Sequence, residues 1–179
     1  RIAKIIKIAH QLKSNHEVLA EAITTVTGKP IFFATSEIEK TVEMIDDVIR
    51  VFQSIALTSQ HDQYMIRHVP MGVIAIITPW NNPLYIALGK IIPAILYGNT
   101  VIWKPSPKAK NISDKVWEII QECMDFNGVV KLIHGGRKEA IDIVNNPMVK
   151  GATFTGSLKA GYAIQELCAK RHIPVQAEL

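Results

Sequence analysis

The chain has 179 residues, of which 48% are hydrophobic and 20% charged, a composition that excludes an intrinsically disordered protein. Its net charge of +4 is spread along the chain without a run of five like charges, which argues against nucleic acid as a partner. The longest uncharged stretch, residues 69–89, contains three prolines, so the sequence predicts no membrane-spanning helix and no membrane partner.

The two cysteines, Cys123 and Cys168, lie far apart, and no CxxC or Cys/His ligand spacing accompanies them. This pattern is typical of reduced thiols and gives no indication of a metal site. The opening segment "RIAKIIKIAHQLK" is charged at about every third residue, unlike the apolar region of a secretory signal. We therefore expect a soluble protein of the cytoplasm.

Three helices are predicted before the first convincing strand. Apolar residues recur at helical spacing over residues 2–12, so one face of the first helix is expected to be buried. Ser14 with Glu17, and Ser36 with Glu39, have the spacing of capping boxes. These two pairs predict where the second and third helices begin.

From residue 63 onward, strands and helices alternate. Period-two patterns and continuous apolar runs predict strands over residues 63–69, 72–78, 99–105, 129–135, 149–156 and 173–179. Helical patterns fill residues 83–97, 111–124, 137–145 and 158–170. Strict alternation indicates right-handed crossovers, so the predicted fold class is α/β, a Rossmann-like parallel sheet with crossover helices, preceded by an N-terminal helical segment. We place the boundary between a helical part, 1–62, and a Rossmann-like region, 63–179.

Polar residues follow the ends of the predicted strands, where parallel sheets bind their ligands. Asn81 follows the strand at residues 72–78, and its amide either donates to an oxygen that gains negative charge in a reaction or forms a turn beside proline. Lys104 ends the next strand, and it either donates to ribose or phosphate groups or is solvated in a proline-rich turn.

Two further strand ends carry candidate groups. The segment "TGSLKAG" begins a helix with Gly156 and Ser157, which is either a phosphate-binding helix terminus or an ordinary helix start. It is not the GxGxxG fingerprint, because the first glycine is missing. Glu178 near the last strand end is either a general base, if its neighbours raise its pKa, or a solvated carboxylate.

These motifs, taken in order, resemble those of the NAD(P)-dependent aldehyde dehydrogenase superfamily over essentially the whole chain. "TPWNNPL" is similar to the family's TPWNFPL, and "GNTVIWKPSP" to its GNTVVxKPSE. "FTGSLKAG" is similar to FTGSxxxG, and the terminal "AEL" to the start of LELGG. The resemblance implies oxidation of a small-molecule aldehyde to a carboxylic acid with NAD or NADP as cofactor.

The resemblance also assigns roles to residues. Asn81 is expected to support the oxyanion, and Glu178 to activate the water that hydrolyses the thioester. Lys104 is expected to hold the adenosine ribose, and Gly156 with Ser157 the pyrophosphate. The complete set of expected cofactor-binding residues is Thr78, Trp80, Lys104, Ser106, Gly156 and Ser157.

The sequence departs from the family pattern at two positions near these motifs. Asn82 stands where an aromatic residue is usual, so no aromatic substrate tunnel is inferred. Pro107 stands where NAD-preferring members have a glutamate that grips both ribose hydroxyls. Without that carboxylate a 2′-phosphate is not repelled, and we expect NADP to be tolerated.

A third departure concerns the nucleophile. The family's catalytic cysteine lies in a domain that follows the LELGG segment, and Cys123 and Cys168 fall in predicted crossover helices, away from the strand ends. The resemblance therefore describes a truncated member, a cofactor-binding part that is inactive alone. The alternatives are a nucleotide-binding module or remnant without turnover, and an interaction protein. Homo-oligomers are possible in each case.

Overall fold

The computed structural model describes residues 1–124 and 128–179. Its N-terminal part consists of three helices, α1 (Ile2–Ser14), α2 (His16–Thr27) and α3 (Ile31–Ser54). The predicted apolar stripe of α1 is buried, as are the inward faces of α2 and α3. Three helices therefore precede the first strand, as the sequence predicts.

The two predicted capping boxes are wrong. Ser14 is the last residue of α1, and the amide of Asn15 at the start of α2 donates back to the Gln11 carbonyl at 2.8 Å. Helix α3 begins at Ile31, directly after Pro30, so Ser36 lies inside it. Proline fixes φ near the helical value, which favours a helix start immediately after it over one five residues later.

Within the described residues, seven strands follow in two sheets. Strands β1 (Thr58–Gln60) and β2 (Met65–Arg67) form an antiparallel pair, and β1 begins before residue 63, where the sequence first indicated strands. The larger sheet is parallel, in the order β5-β4-β3-β6-β7. Its strands are β3 (Val73–Thr78), β4 (Thr100–Pro105), β5 (Val130–Leu132), β6 (Val149–Thr155) and β7 (Val175–Glu178).

Helices connect these strands in the predicted alternation. They are α4 (Tyr85–Leu96), α5 (Lys110–Cys123), α6 (Arg137–Asn145) and α7 (Leu158–Lys170), and a 3₁₀ turn (Pro107–Ala109) precedes α5. The central strand β3 divides two apolar cores, because Ile76 packs with α1 to α5 while Ala75 and Ile77 pack with α6 and α7. The sheet is thus covered on both faces, which confirms the predicted α/β fold.

The register of the sheet places its carboxyl ends side by side. Thr78 of β3 pairs with Pro105 of β4, and Thr155 of β6 pairs with Glu178 of β7. Side chains that follow four different strands therefore reach one edge of the sheet. This edge is where ligands of parallel sheets bind.

Candidate active site

A cavity of about 900 Å³ opens at the carboxyl edge of the sheet, between the ends of the strands and helices α6 and α7. Its size is in the range of small-molecule and cofactor sites. All eight residues singled out from the sequence line this cavity: Thr78, Trp80, Asn81, Lys104, Ser106, Gly156, Ser157 and Glu178. Residues separated by up to a hundred positions in the sequence thus meet at one site.

Thr78 and Ser106 tie the ends of β3 and β4 together. The indole N–H of Trp103 donates to the Thr78 hydroxyl at 3.0 Å, and the Ser106 N–H donates to the Thr78 carbonyl at 2.8 Å. Thr78 and Trp103 are both buried. The hydroxyl of Thr78 is therefore already hydrogen-bonded to a core residue. Thr78 contributes to the cavity mainly by fixing the position of the turn that follows it.

Trp80 lies on the wall of the cavity and is 38% exposed. The ammonium group of Lys108 is 4.8 Å from the centroid of its ring, which is a cation–π contact. Lys108 belongs to the 3₁₀ turn after β4, so this contact joins the loops that follow two neighbouring strands. Lys108 is not predicted from the sequence, because a lysine in a proline-rich turn carries no signal of its own.

The two adjacent amides, Asn81 and Asn82, differ in their surroundings. Both are exposed, and the Asn82 side chain accepts a hydrogen bond from Lys29 at 3.0 Å. Within the part of the chain that the structure describes, the Asn81 side chain has no hydrogen-bond partner, and it lines the cavity. Its N–H groups are therefore free to donate to a ligand.

Lys104 is a buried lysine in the wall of the cavity, with only 4% of its surface exposed. Its ammonium group donates to the carbonyl of Pro105 at 3.2 Å. Burial lowers the pKa of Lys104 below the ordinary value of 10.5, and the charge of Glu139 partly opposes this effect. Among the described residues no carboxylate lies at hydrogen-bonding distance from this ammonium group, and a buried cation of this kind favours binding of an anion or a polar hydroxyl.

The start of α7 forms another wall of the cavity. Ser157 is the N-cap residue of α7, where the sequence predicts a helix start, but its side chain makes no capping hydrogen bond. The Gly156 N–H donates to the Glu178 carbonyl at 3.1 Å, and a Cβ at Gly156 would lie 2.8 Å from the Phe154 ring. Gly156 therefore permits close packing. The first N–H groups of α7 have no partners within the helix and form the positive end of its dipole.

Three side chains donate to Glu178, and the contact from the Gln176 amide to Oε1 is the longest of them at 3.5 Å. Lys90 of α4 donates to Oε1 at 3.0 Å, and the Thr155 hydroxyl donates to Oε2 at 3.0 Å. The hydrogen bond from Lys90 is the largest cause that lowers the pKa of Glu178, with partial burial opposing it. The neighbours thus lower the pKa, whereas the general-base interpretation from the sequence required them to raise it. Lys90 was also missed by the sequence analysis, because it is 88 residues away and lies inside an apolar helix.

Neither cysteine lies at the cavity. Cys123 ends α5 and Cys168 lies in α7, both are buried, and burial raises the pKa of each thiol. A thiol in such surroundings is a poor nucleophile. The expectation that neither can replace the family's catalytic cysteine therefore agrees with their burial.

Among the described residues, no helix is long and apolar enough to cross a membrane. Over residues 1–124 and 128–179, no group of three or more His, Cys, Asp or Glu side chains is arranged to hold a metal ion.

Comparison with protein families agrees with the motifs at this site. The model of the aldehyde dehydrogenase family matches residues 1–179. The chain belongs to the aldehyde dehydrogenase family. Similar curated relatives are the N-succinylglutamate 5-semialdehyde dehydrogenases of Novosphingobium aromaticivorans, 31% identical over 178 residues, and Vibrio cholerae, 30% identical over 168 residues. These alignments cover 94% and 92% of this chain but 37% and 35% of the relatives, so the chain spans little more than a third of their length.

Solved aldehyde dehydrogenases have the same fold over the whole of this chain. The NAD-dependent aldehyde dehydrogenase from Sinorhizobium meliloti has a TM-score of 0.94 and is 28% identical. An aldehyde dehydrogenase C mutant from Pseudomonas syringae, in complex with NAD+ and octanal, has a TM-score of 0.96 and is 28% identical. Each comparison covers 100% of this chain and 37% of the solved chain.

Proposed function

We propose that this chain is the cofactor-binding part of an enzyme that oxidises an aldehyde to a carboxylic acid with NAD or NADP. The observation that carries the proposal is the convergence of all eight residues of the aldehyde dehydrogenase motifs on one cavity of about 900 Å³. The similar enzyme from Pseudomonas syringae was crystallised with NAD+, which supports a dinucleotide as the ligand of this cavity.

The groups that line the cavity fit such a cofactor. The ammonium group of Lys104 suits the ribose hydroxyls, and the start of α7, with Ser157, suits a pyrophosphate. Trp80 adds an aromatic face to the cavity wall, and the ammonium group of Lys108 lies over its ring. When bound, the nicotinamide of the cofactor accepts the hydride that the substrate loses.

Asn81 is the proposed donor to the oxyanion, because its amide is exposed in the cavity and free of other hydrogen bonds within the described residues. Loss of one such donor typically lowers the rate by about a hundred- to a thousandfold. In a polypeptide that joins this chain to a catalytic cysteine, Asn81→Ala should reduce kcat within that range. A reduction below about fivefold would remove Asn81 from the mechanism.

Glu178 is the proposed acceptor of the proton from water. Its lowered pKa keeps it ionised at neutral pH, which a proton acceptor requires. Lys90 and Thr155 hold both carboxylate oxygens in place. In this arrangement Glu178 is a weak base, so its basicity would increase when the contact with Lys90 is lost.

The cofactor preference is proposed from Pro107. Because this cavity-lining residue has no carboxylate to repel a 2′-phosphate, both NAD and NADP are expected to bind. Calorimetric titration of the chain with each dinucleotide tests this, and Pro107→Glu should weaken NADP selectively. Binding of NADP weaker than that of NAD by more than about a hundredfold, or nearly 3 kcal/mol, would contradict the proposal of tolerance.

The alternative function is nucleotide binding without turnover, which is favoured by the burial of both cysteines. The two functions are separated in a polypeptide that joins this chain to a catalytic cysteine, by adding an aldehyde and NAD+ and following NADH absorbance after binding has been established. Binding without NADH formation in that polypeptide supports the alternative. Absence of binding to both dinucleotides would overturn both functions. The cytoplasmic location and the homo-oligomer expected from the sequence stay predictions.

A further inference from the structure

The segment that carries Asn81 is attached to α3 by a buried carboxylate. Glu37 in α3 is only 6% exposed, although it is a charged residue. Its Oε1 accepts hydrogen bonds from the N–H groups of Leu84 and Tyr85, at 3.0 and 3.1 Å. These are the residues at the start of α4, three and four positions after Asn81.

Lys29 completes this arrangement from the other side. Its ammonium group donates to Glu37 Oε2 at 2.6 Å and to Asn82 Oδ1 at 3.0 Å. Lys29 follows Gly28, whose left-handed conformation ends α2. The lysine therefore lies in the turn between α2 and α3. One cation thus links a buried carboxylate to the residue next to Asn81.

Helix α4 otherwise begins without a side-chain cap. The N-cap residue, Leu84, is itself in a helical conformation, and no side chain of the turn accepts from the first N–H groups of the helix. Glu37, which precedes Leu84 by 47 residues, supplies an acceptor and a negative charge at the start of α4. The unpaired N–H groups and the positive end of the dipole at this helix start favour both. Removing a buried partner of this kind leaves the other polar groups unsatisfied.

We propose that Lys29 and Glu37 are positioning residues that fix the orientation of Asn81. They hold the Asn82 side chain and the first N–H groups of α4, which leaves the intervening turn little freedom to rotate. An aromatic residue at position 82 would offer no acceptor to Lys29, so this arrangement gives Asn82 a specific use in this chain. The catalytic meaning of the arrangement rests on the proposed role of Asn81, whereas the positioning itself does not.

The test uses the 179-residue chain without cofactor or substrate. Heteronuclear NMR would follow the side-chain amide resonances of Asn81 and the hydrogen exchange of the Leu84 and Tyr85 N–H groups. In Lys29→Met and Glu37→Ala, we expect the Asn81 resonances to shift and the exchange to accelerate by about tenfold or more. Lys29→Arg keeps a donor for both partners and should restore the native spectrum at these positions.

Lys40→Met is the matched control. Lys40 is exposed on the same helix as Glu37 and lines the cleft that Lys29, Glu37 and Asn82 also line, but within the described chain it makes no hydrogen bond or ion pair. Lys40→Met removes the same charge from the cleft as Lys29→Met but breaks no contact with the turn. The Asn81 resonances of this variant should therefore remain native. If Glu37→Ala does not fold, Asn82→Ala serves instead, since it removes only the contact between Lys29 and the turn.

A merely structural role predicts a different result. Asn81 resonances that stay native in Lys29→Met and Asn82→Ala, or that change no more than the amides of α1, would overturn the proposal. Because no ligand is present, this outcome is independent of whether the chain binds a dinucleotide. In a polypeptide that also carries the catalytic cysteine, positioning predicts that Lys29→Met lowers kcat and leaves KM for the cofactor unchanged.

Discussion

At the residue scale, the carboxyl group of Glu178 depends on its hydrogen bond from Lys90, which lowers its pKa below the ordinary value of 4.5. Lys90→Met removes both the donor and the charge, so the pKa of Glu178 should rise. A ¹³C NMR titration of the carboxyl carbon measures it. Lys159→Met is the control, since Lys159 lines the same cavity without bonding to Glu178, and it should leave the titration unchanged. Equal titration curves for the two variants would contradict Lys90 as the cause of the lowered pKa of Glu178.

The same ion pair has a predictable effect on stability. Because the pKa of Glu178 is lower in the folded chain, the pair stabilises the fold above the ordinary value of 4.5, and this stabilisation is lost as pH falls through the lowered pKa. The Glu178 side chain is 53% exposed, so solvent screening limits the contribution to at most about 1 kcal/mol. Lys90 therefore matters more for the protonation of Glu178 than for the stability of the sheet.

The two cysteines give a second prediction at this scale. Since burial raises the pKa of both thiols, neither should react with iodoacetamide at neutral pH while the chain is folded. Intact mass should show an unmodified chain under native conditions and two modifications in guanidinium chloride. Rapid modification of Cys123 or Cys168 in the folded chain would contradict their burial and would reopen the question of a nucleophile within this chain.

At the element scale, the sequence predicts the crossover helices well, because each has an apolar face at helical spacing and is bounded by turn residues. Helices α6 and α7 have the predicted bounds of 137–145 and 158–170. The predicted starts of α2 and α3 are wrong, since a local pattern such as Ser36 with Glu39 does not reveal that the helix already begins after Pro30.

At the site, residues at strand ends are predictable because the parallel register brings them together. Lys90 and Glu37 are not, because their partners lie on other elements and leave no local pattern.

Helix α4 provides the prediction at this scale, because it lies between the sheet and α3. Its residue Leu88 is fully buried, so Leu88→Ala leaves a cavity and should lower the free energy of unfolding by about 2–5 kcal/mol. Leu158→Ala makes the same chemical change at a residue that is 57% exposed and should cost no more than about 0.5 kcal/mol. Guanidinium unfolding measures both. Equal losses would mean that α4 is not packed as the structure has it.

At the scale of the whole molecule, the buried Lys104 opposes folding at neutral pH. Burial lowers its pKa, so the charged form is less favourable in the folded chain than in the unfolded chain. This destabilisation is present below the lowered pKa and disappears as pH rises through it towards 10.5. A residue that weakens the fold and lines the cavity is expected where binding, and not stability, determines the choice of side chain.

One thermal unfolding experiment on Lys104→Met separates the effect of Lys104 on stability from its effect on cofactor binding. Without ligand, the variant should unfold at the same or a higher temperature than the native chain, since an apolar side chain suits the buried position. With NAD+ at about a hundred times Kd, the native chain should gain about 5–10 °C, while the variant should gain much less. Lys131→Met, at an exposed position of β5, should keep the full gain. If Lys104→Met unfolds at a lower temperature and keeps the full gain, Lys104 is a structural residue and the cofactor is bound by other groups of the cavity.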